Sequence, residues 1–251
     1  MNFYTRIYKN IPGIWRESLM WFITTRGLLT LFGSLARIYI VPLNPNFHWW
    51  LYKWLPLSVW GVWDSGWYLP LAKYGYNVLP STSSLTLGQA NTAFFPLYPL
   101  LMQIFGRFTD YFLAGLFISN FSLILGSIGL YKLTNYYFSE DVGKRTVKFL
   151  YIFPFGFLFS AVLTEGLFFG LSVWAIYFAT QNKILKASIF AFFLALTRPT
   201  GLLILIPLLL IAHKNHNKKA MFVFAVAPVL GLLSYMGYLW TISGDPLAFT
   251  Y

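Results

Sequence analysis

Long apolar runs recur along the chain, separated by short polar connectors that hold most of the charge. A run of about 20 apolar residues crosses roughly 30 Å of hydrocarbon as a helix. Lipid offers the backbone no hydrogen-bond partners, and the runs lack the apolar-polar alternation of a membrane barrel, so helices are the remaining choice. The pattern therefore predicts an all-α, polytopic membrane bundle of about seven transmembrane helices, at residues 19–41, 112–133, 149–163, 166–181, 184–197, 199–212 and 221–242. Several of these runs are at or below the usual lower limit of about 17 residues, and are expected as partial crossings inside the bundle. Between the first two runs lies a polar-aromatic loop, residues 42–93, with Pro42, Pro45, Pro56, Pro70 and Pro80 and a hydroxyl-rich patch from Ser81 to Thr86. The run 94–102 carries Pro96 and Pro99 and is followed by Arg107 and Asp110. It is expected to lie in or dip into the membrane interface rather than cross, so the first outer loop extends over 42–111.

Composition sharpens this picture. Of 251 residues, 58% are hydrophobic and only 10% charged, against roughly a quarter charged in soluble domains. The net charge of +11 is carried by inter-helix connectors and not by one basic face interleaved with aromatics, so no nucleic acid is expected as a partner. Twelve of the eighteen basic residues fall in four connectors on one side of the predicted bundle, against two, Lys53 and Lys73, in residues 42–93. By the positive-inside rule the N-terminus, with Arg6, Lys9 and Arg16, is cytoplasmic and the long loop extracytoplasmic. The expected site is the plasma membrane of a prokaryote or the endoplasmic reticulum of a eukaryote. There is no cysteine, which excludes disulfides, thiolate metal sites and cysteine nucleophiles. The first run carries Arg26 and Arg37 and lacks a small-residue cleavage site, unlike a signal peptide.

The polar residues converge on that topology. Asp64, in Trp60-Gly61-Val62-Trp63-Asp64-Ser65-Gly66-Trp67-Tyr68, is the only acid between Glu17 and Asp110. The rings around it fit an interfacial aromatic belt, but a belt needs no acid, so Asp64 is assigned chemistry. Glu165, Arg198 and Asp245 also fall at outer helix ends. Glu165 follows Thr164 at a helix start, where a carboxylate stabilises the macrodipole by about 0.3–1 kcal/mol without any catalytic role. Arg198, in Thr197-Arg198-Pro199-Thr200-Gly201, either snorkels to headgroups or clamps a lipid-linked phosphate through its planar fork. Arg37, near the outer end of the first run, is a further phosphate ligand; Arg26 is expected to pair or snorkel. His213 and His216 lack a third ligand, and His48 stands alone. No metal site is therefore assigned. Motifs for nucleotide, serine or zinc hydrolysis are absent.

Val62-Trp63-Asp64 with Leu71-Ala72-Lys73-Tyr74-Gly75-Tyr76, then Ala93-Phe94-Phe95-Pro96-Leu97-Tyr98-Pro99-Leu100, resembles the first-loop signature of the phosphatidylinositol glycan class V mannosyltransferases of the GT-C superfamily. Phe153-Pro154 through Ser160-Ala161-Val162-Leu163-Thr164-Glu165-Gly166, Leu196 through Gly201, and Gly244-Asp245-Pro246-Leu247-Ala248-Phe249 are similar to later segments of that family. The resemblance implies a single GT-C-like domain over 1–251. It also implies an inverting transferase that moves a sugar, usually mannose, from a polyprenyl- or dolichyl-phosphate donor to a glycolipid, glycan or protein acceptor. The family's first-loop acid maps onto Asp64. Two departures stand out: Thr164-Glu165-Gly166 replaces Ser-Glu-Ser, and the sequence stops at Tyr251 where relatives continue, as expected of a shortened form or fragment.

With that resemblance, Asp64 is expected as the catalytic base and Arg198, Arg37 and Lys73 as ligands of the donor phosphate. Trp63, Trp67, Tyr68 and Tyr98 would contact sugar or prenyl chain, with Glu165 and Asp245 as further sugar or acceptor ligands. No cofactor is called for. Membrane lipid is an expected partner, as is a second subunit completing the bundle. The alternatives are a lipid-linked sugar transporter or flippase, and a non-catalytic accessory subunit.

Overall fold

The computed structural model describes residues 11–40, 51–77 and 90–250. Arg6, Lys9, His48, Pro42, Pro45, Pro80 and the patch from Ser81 to Thr86 lie outside the described residues. Among the described residues every regular element is helical. The α-helices are α1 Ile11–Tyr39, α2 Leu55–Ser58, α3 Ser65–Tyr74, α4 Leu97–Gly106, α5 Tyr111–Tyr137, α6 Glu140–Ile152, α7 Glu165–Thr180, α8 Ile184–Ala195, α9 Leu205–Lys214 and α10 Lys218–Ser243, with 3-10 turns at Asn91–Ala93, Pro154–Phe159 and Pro199–Ile204. Among the described residues three helices are long and apolar enough to cross a membrane: Gly13–Tyr39, Tyr111–Tyr137 and Lys218–Ser243. At 1.5 Å per residue, the 16 residues of α7 and the 12 of α8 reach only about 24 and 18 Å, short of the hydrocarbon thickness.

Glycine sets the central packing. Gly166 and Gly170, one helical turn apart on α7, face the backbone of α5: a Cβ on Gly166 would meet Ser119 O at 2.5 Å, and one on Gly170 would meet Ser122 O at 2.9 Å. Small residues at i and i+4 let the two helix axes approach closely. The same register continues where Gly129 meets Val173 and Trp174, so α5 and α7 run parallel. α8 and α10 are also parallel. Asn217 donates to Asn182 Oδ1 at 3.1 Å where they begin, and Gly231 lies under Phe192 further along.

The chain between α5 and α7 must travel back along α5, and it does so without forming the single helix expected at 149–163. α6 starts at Glu140, capped by Ser139, and buries one stripe, Gly143, Val147 and Tyr151. It ends at Ile152 because Pro154 biases the preceding residue away from helical dihedrals. A 3-10 turn and a run of bends follow, with Ala161, Val162, Leu163 and Thr164 all buried. Non-helical backbone at depth is tolerated only where protein groups satisfy it, and here they do. Arg26 donates to Gly156 O (2.7 Å), Tyr151 O (3.3 Å) and Ser160 Oγ (2.6 Å). Asn120 donates to Ser160 O at 3.1 Å, Ser119 to Leu163 O and Ser65 to Val162 O, both at 2.9 Å. Arg26 thus neither snorkels nor finds an acid; it holds the return segment.

The 94–102 run forms a short helix, too short to be a candidate span. α4 buries Leu97, Tyr98, Pro99 and Met102 on one face and exposes Leu100, Ile104 and Phe105 on the other. Pro99 is accommodated because it falls in the first turn, where its missing N–H is not needed.

Candidate functional site

The N-terminal ends of α5 and α7 and the C-terminal ends of α8 and α10 lie at one end of the bundle, and the loop Trp60–Ser65 docks there. That loop is stitched to the return segment by Val162 N donating to Trp60 O at 2.9 Å and by Ser65 Oγ donating to Val162 O. Trp63 turns the chain with a left-handed backbone (φ 45°), rare for a bulky residue, and its ring rests on Phe157 at 5.8 Å. Asp64 then opens α3. Its side chain is exposed, caps no helix amide, and makes no hydrogen bond or ion pair with a described residue.

Next to this loop, Arg198 precedes Pro199 and takes the extended conformation (φ −160°) that a following proline enforces. Its Nε donates to Thr164 Oγ1 at 2.6 Å, and its Nη2 pairs with Glu165 Oε1. Thr164 is therefore not a helix cap, since its side chain accepts no cap bond from α7. Glu165 opens α7, and its Oε2 is buried without a partner. Arg198 is held on two of its three nitrogens, which leaves Nη1 at the partly exposed edge of the group.

Tyr68 joins the two halves. Its ring is 4% exposed, edge-on to both Tyr98 (5.1 Å) and Phe94 (5.2 Å). Burial pushes its phenol up to about 12; a hydrogen bond with Thr164 and the charge of Arg198 act the other way, and the carboxylates of Asp64 and Glu165 reinforce the rise. The charges of both acids and of the guanidinium are thus felt at one hydroxyl. Asp64 is isolated along the sequence, and the fold brings Glu165 close enough that both charges act on Tyr68.

Other expected site residues are placed elsewhere. Tyr98 is fully buried, its hydroxyl bonded to Gly115 O (3.0 Å) and Ser119 Oγ (2.8 Å), so it supports the core and cannot stack on a sugar. Trp67 is stacked on Phe94 at 5.5 Å, whereas Trp63 is 59% exposed and does present a ring face. Arg37 donates to Ser58 Oγ at 2.9 Å, against α2. Lys73 lies over the Tyr74 ring at 4.8 Å on the outward face of α3, lining a cavity of about 500 Å³ with Gly66, Pro70, Thr109 and Asp110. Asp245 caps the turn after α10, accepting from Leu247 N at 2.8 Å; that turn is tied to Thr92 Oγ1 through Ala248 O. Thr164 and Ser119 were not picked out as site residues by sequence. Thr164 carried a signal, a polar residue between an apolar run and an acid, but read as a cap. Among the described residues no three His, Cys, Asp or Glu side chains gather closely enough to hold a metal ion.

The class so defined, among the described residues, is an all-helical bundle with three candidate membrane-spanning helices and a polar constellation at one end. No family model, curated protein or solved structure matches the chain.

Proposed function

We propose that the chain is a membrane glycosyltransferase of the GT-C type, mannosyltransferase-like, that takes a sugar from a polyprenyl- or dolichyl-phosphate donor at the extracytoplasmic or lumenal face. The observation that carries this reading is the grouping of Asp64, Tyr68, Thr164, Glu165 and Arg198 at one bundle end. Asp64 removes the proton of an acceptor hydroxyl, and that oxygen attacks the anomeric carbon. The bond from that carbon to the phosphate oxygen breaks on the opposite face, and the polyprenyl phosphate, now a monoester, leaves with the electron pair. Arg198, oriented by Thr164 and Glu165, meets the growing charge with its Nη1 edge, since preorganised donors act most strongly where charge develops. Trp63 offers a stacking face beside the base. A lipid-linked sugar transporter would need a polar site within the membrane. The broken return segment supplies no such site, because Arg26 is consumed by Ser160, Gly156 and Tyr151.

The test is Asp64→Asn in proteoliposomes supplied with a radiolabelled polyprenyl-phosphate mannose donor. Because Asp64 has no partner to lose, the variant is expected to keep the wild-type melting temperature. Loss of a general base lowers turnover by about 10²–10⁴-fold. Wild-type turnover by a folded Asp64→Asn protein overturns the assignment.

A further inference from the structure

The opposite end of the bundle carries a second polar cluster that the proposed transfer reaction does not use. Lys132 on α5 projects over the rings of Trp174 (5.5 Å) and Tyr177 (5.9 Å), and Lys186 on α8 lies over Phe178 at 5.6 Å. Lys183, in the tight turn between α7 and α8, is near enough for its charge to be felt at half-buried Lys132. Neither ion pair among the described residues involves any of the three; they join Lys144 to Glu140 and Arg198 to Glu165. Three ammonium groups thus border one aromatic wall with no ion-pair partner among the described residues, and the charge of Lys183 acts unfavourably on half-buried Lys132. An anion among them turns that repulsion into attraction.

We propose that Lys132, Lys183 and Lys186 bind the phosphate headgroup of an anionic phospholipid. The lipid source, as against free phosphate, follows from what adjoins the lysines. α8 exposes Leu185, Ile189 and Phe193, a stripe at i, i+4 and i+8 that begins one residue from Lys186 and runs towards the bundle centre. A headgroup on the lysines lays an acyl chain along that stripe, and basic pockets between membrane helices are the setting in which such headgroups are held.

The test compares the full chain in phosphatidylcholine nanodiscs with and without phosphatidylglycerol, reading the melting temperature and, by native mass spectrometry, the retained lipid. Phosphatidylglycerol is expected to raise the wild-type melting temperature. In Lys132→Gln/Lys183→Gln that rise is lost and apparent affinity falls roughly thirty-fold, at about fivefold per lysine, while Lys132→Arg/Lys183→Arg retains it. Lys218→Gln/Lys219→Gln removes the same charge from the same end outside the cluster and keeps the full effect. Equal losses in the two Gln pairs would mean general attraction to a negative surface and overturn the site. So would an unchanged lipid response in Lys132→Gln/Lys183→Gln, or inorganic phosphate in phosphatidylcholine alone reproducing the rise.

Discussion

Tyr68 is the residue through which the exposed acid and the half-buried ion pair sense each other. Its phenol is raised from 10.0 to about 12, first by burial, so the fold favours the neutral form. The sign follows: the contribution is complete below pH 10 and disappears as pH rises through about 12, to a total of about 2–3 kcal/mol at 1.36 kcal/mol per unit. Tyr68→Phe keeps the ring and removes the titration. Alkaline unfolding followed by circular dichroism should show wild type losing stability between pH 10 and 12 more steeply than the variant. At neutral pH the variant is weaker by about 1 kcal/mol for the lost bond to Thr164. Arg198 carries the companion expectation. Arg198→Lys keeps the charge but loses the planar fork that holds Thr164 through Nε and Glu165 through Nη2. On the proposed function, donor KM rises about 10-fold or more in both Arg198→Lys and Arg198→Ala with acceptor KM unchanged; equal donor KM in wild type and Arg198→Ala would refute the clamp. Asp64, Glu165 and Arg198 were legible as candidates because each is a lone charge in an apolar context. That Arg198 is already paired, and that Tyr98 is core, was not legible: both depend on contacts 33 or 34 and 17 or 21 residues apart in sequence.

At the scale of elements, the unusual piece is the return from α6 to α7. Its buried carbonyls have no helix of their own to satisfy them, so side chains from α1, α3 and α5 do so. Arg26 contributes most, and its hydrogen bonds to carbonyls are charge-assisted, worth about 1.5–3 kcal/mol each. Arg26→Met leaves Gly156 O and Tyr151 O without this donor in a buried setting. It is expected to destabilise the protein by about 3 kcal/mol or more, measured as detergent-resistant folded fraction against denaturant, with Arg26→Lys recovering only part. A loss under about 1 kcal/mol would show that the segment holds itself. The long apolar helices were readable from hydropathy alone, since α1, α5 and α10 need only length and composition. The return segment was not: residues 149–163 are apolar enough for a span, and hydropathy does not see that Pro154 stops the helix. α6 begins nine residues earlier than that run, among Glu140, Asp141, Lys144 and Arg145. Such a charged start is invisible to an apolar window, although the alternation of one buried stripe with charges is the mark of an amphipathic helix.

For the whole molecule the consequence is polarity of the bundle. Parallel pairing of α5 with α7 and of α8 with α10 places Asp110, Glu165, Arg198 and Asp245 at one end, and Asn182, Lys183, Asn217 and Lys218 at the other. The lysine-rich connectors were legible as one side of the chain before any contact was known. The broken return was not needed for that inference, because it still carries the chain from one end to the other. The reading of function requires more: the acid and the arginine must share a compartment, the one away from the basic connectors. Absence of cysteine makes this measurable with single substitutions. Lys73→Cys and Leu247→Cys, both exposed near the site end, are expected to react with a membrane-impermeant maleimide on intact cells or sealed right-side-out vesicles. Asn215→Cys and Lys219→Cys, exposed at the lysine-rich end, are expected to react only after permeabilisation. Labelling of Lys73→Cys and Leu247→Cys from opposite sides would break the shared end that the helix pairings build. All four patterns reversed would keep the fold but put the constellation in the cytoplasm, where no outward-facing polyprenyl-phosphate donor reaches it, and the transferase reading would fail while the packing stood.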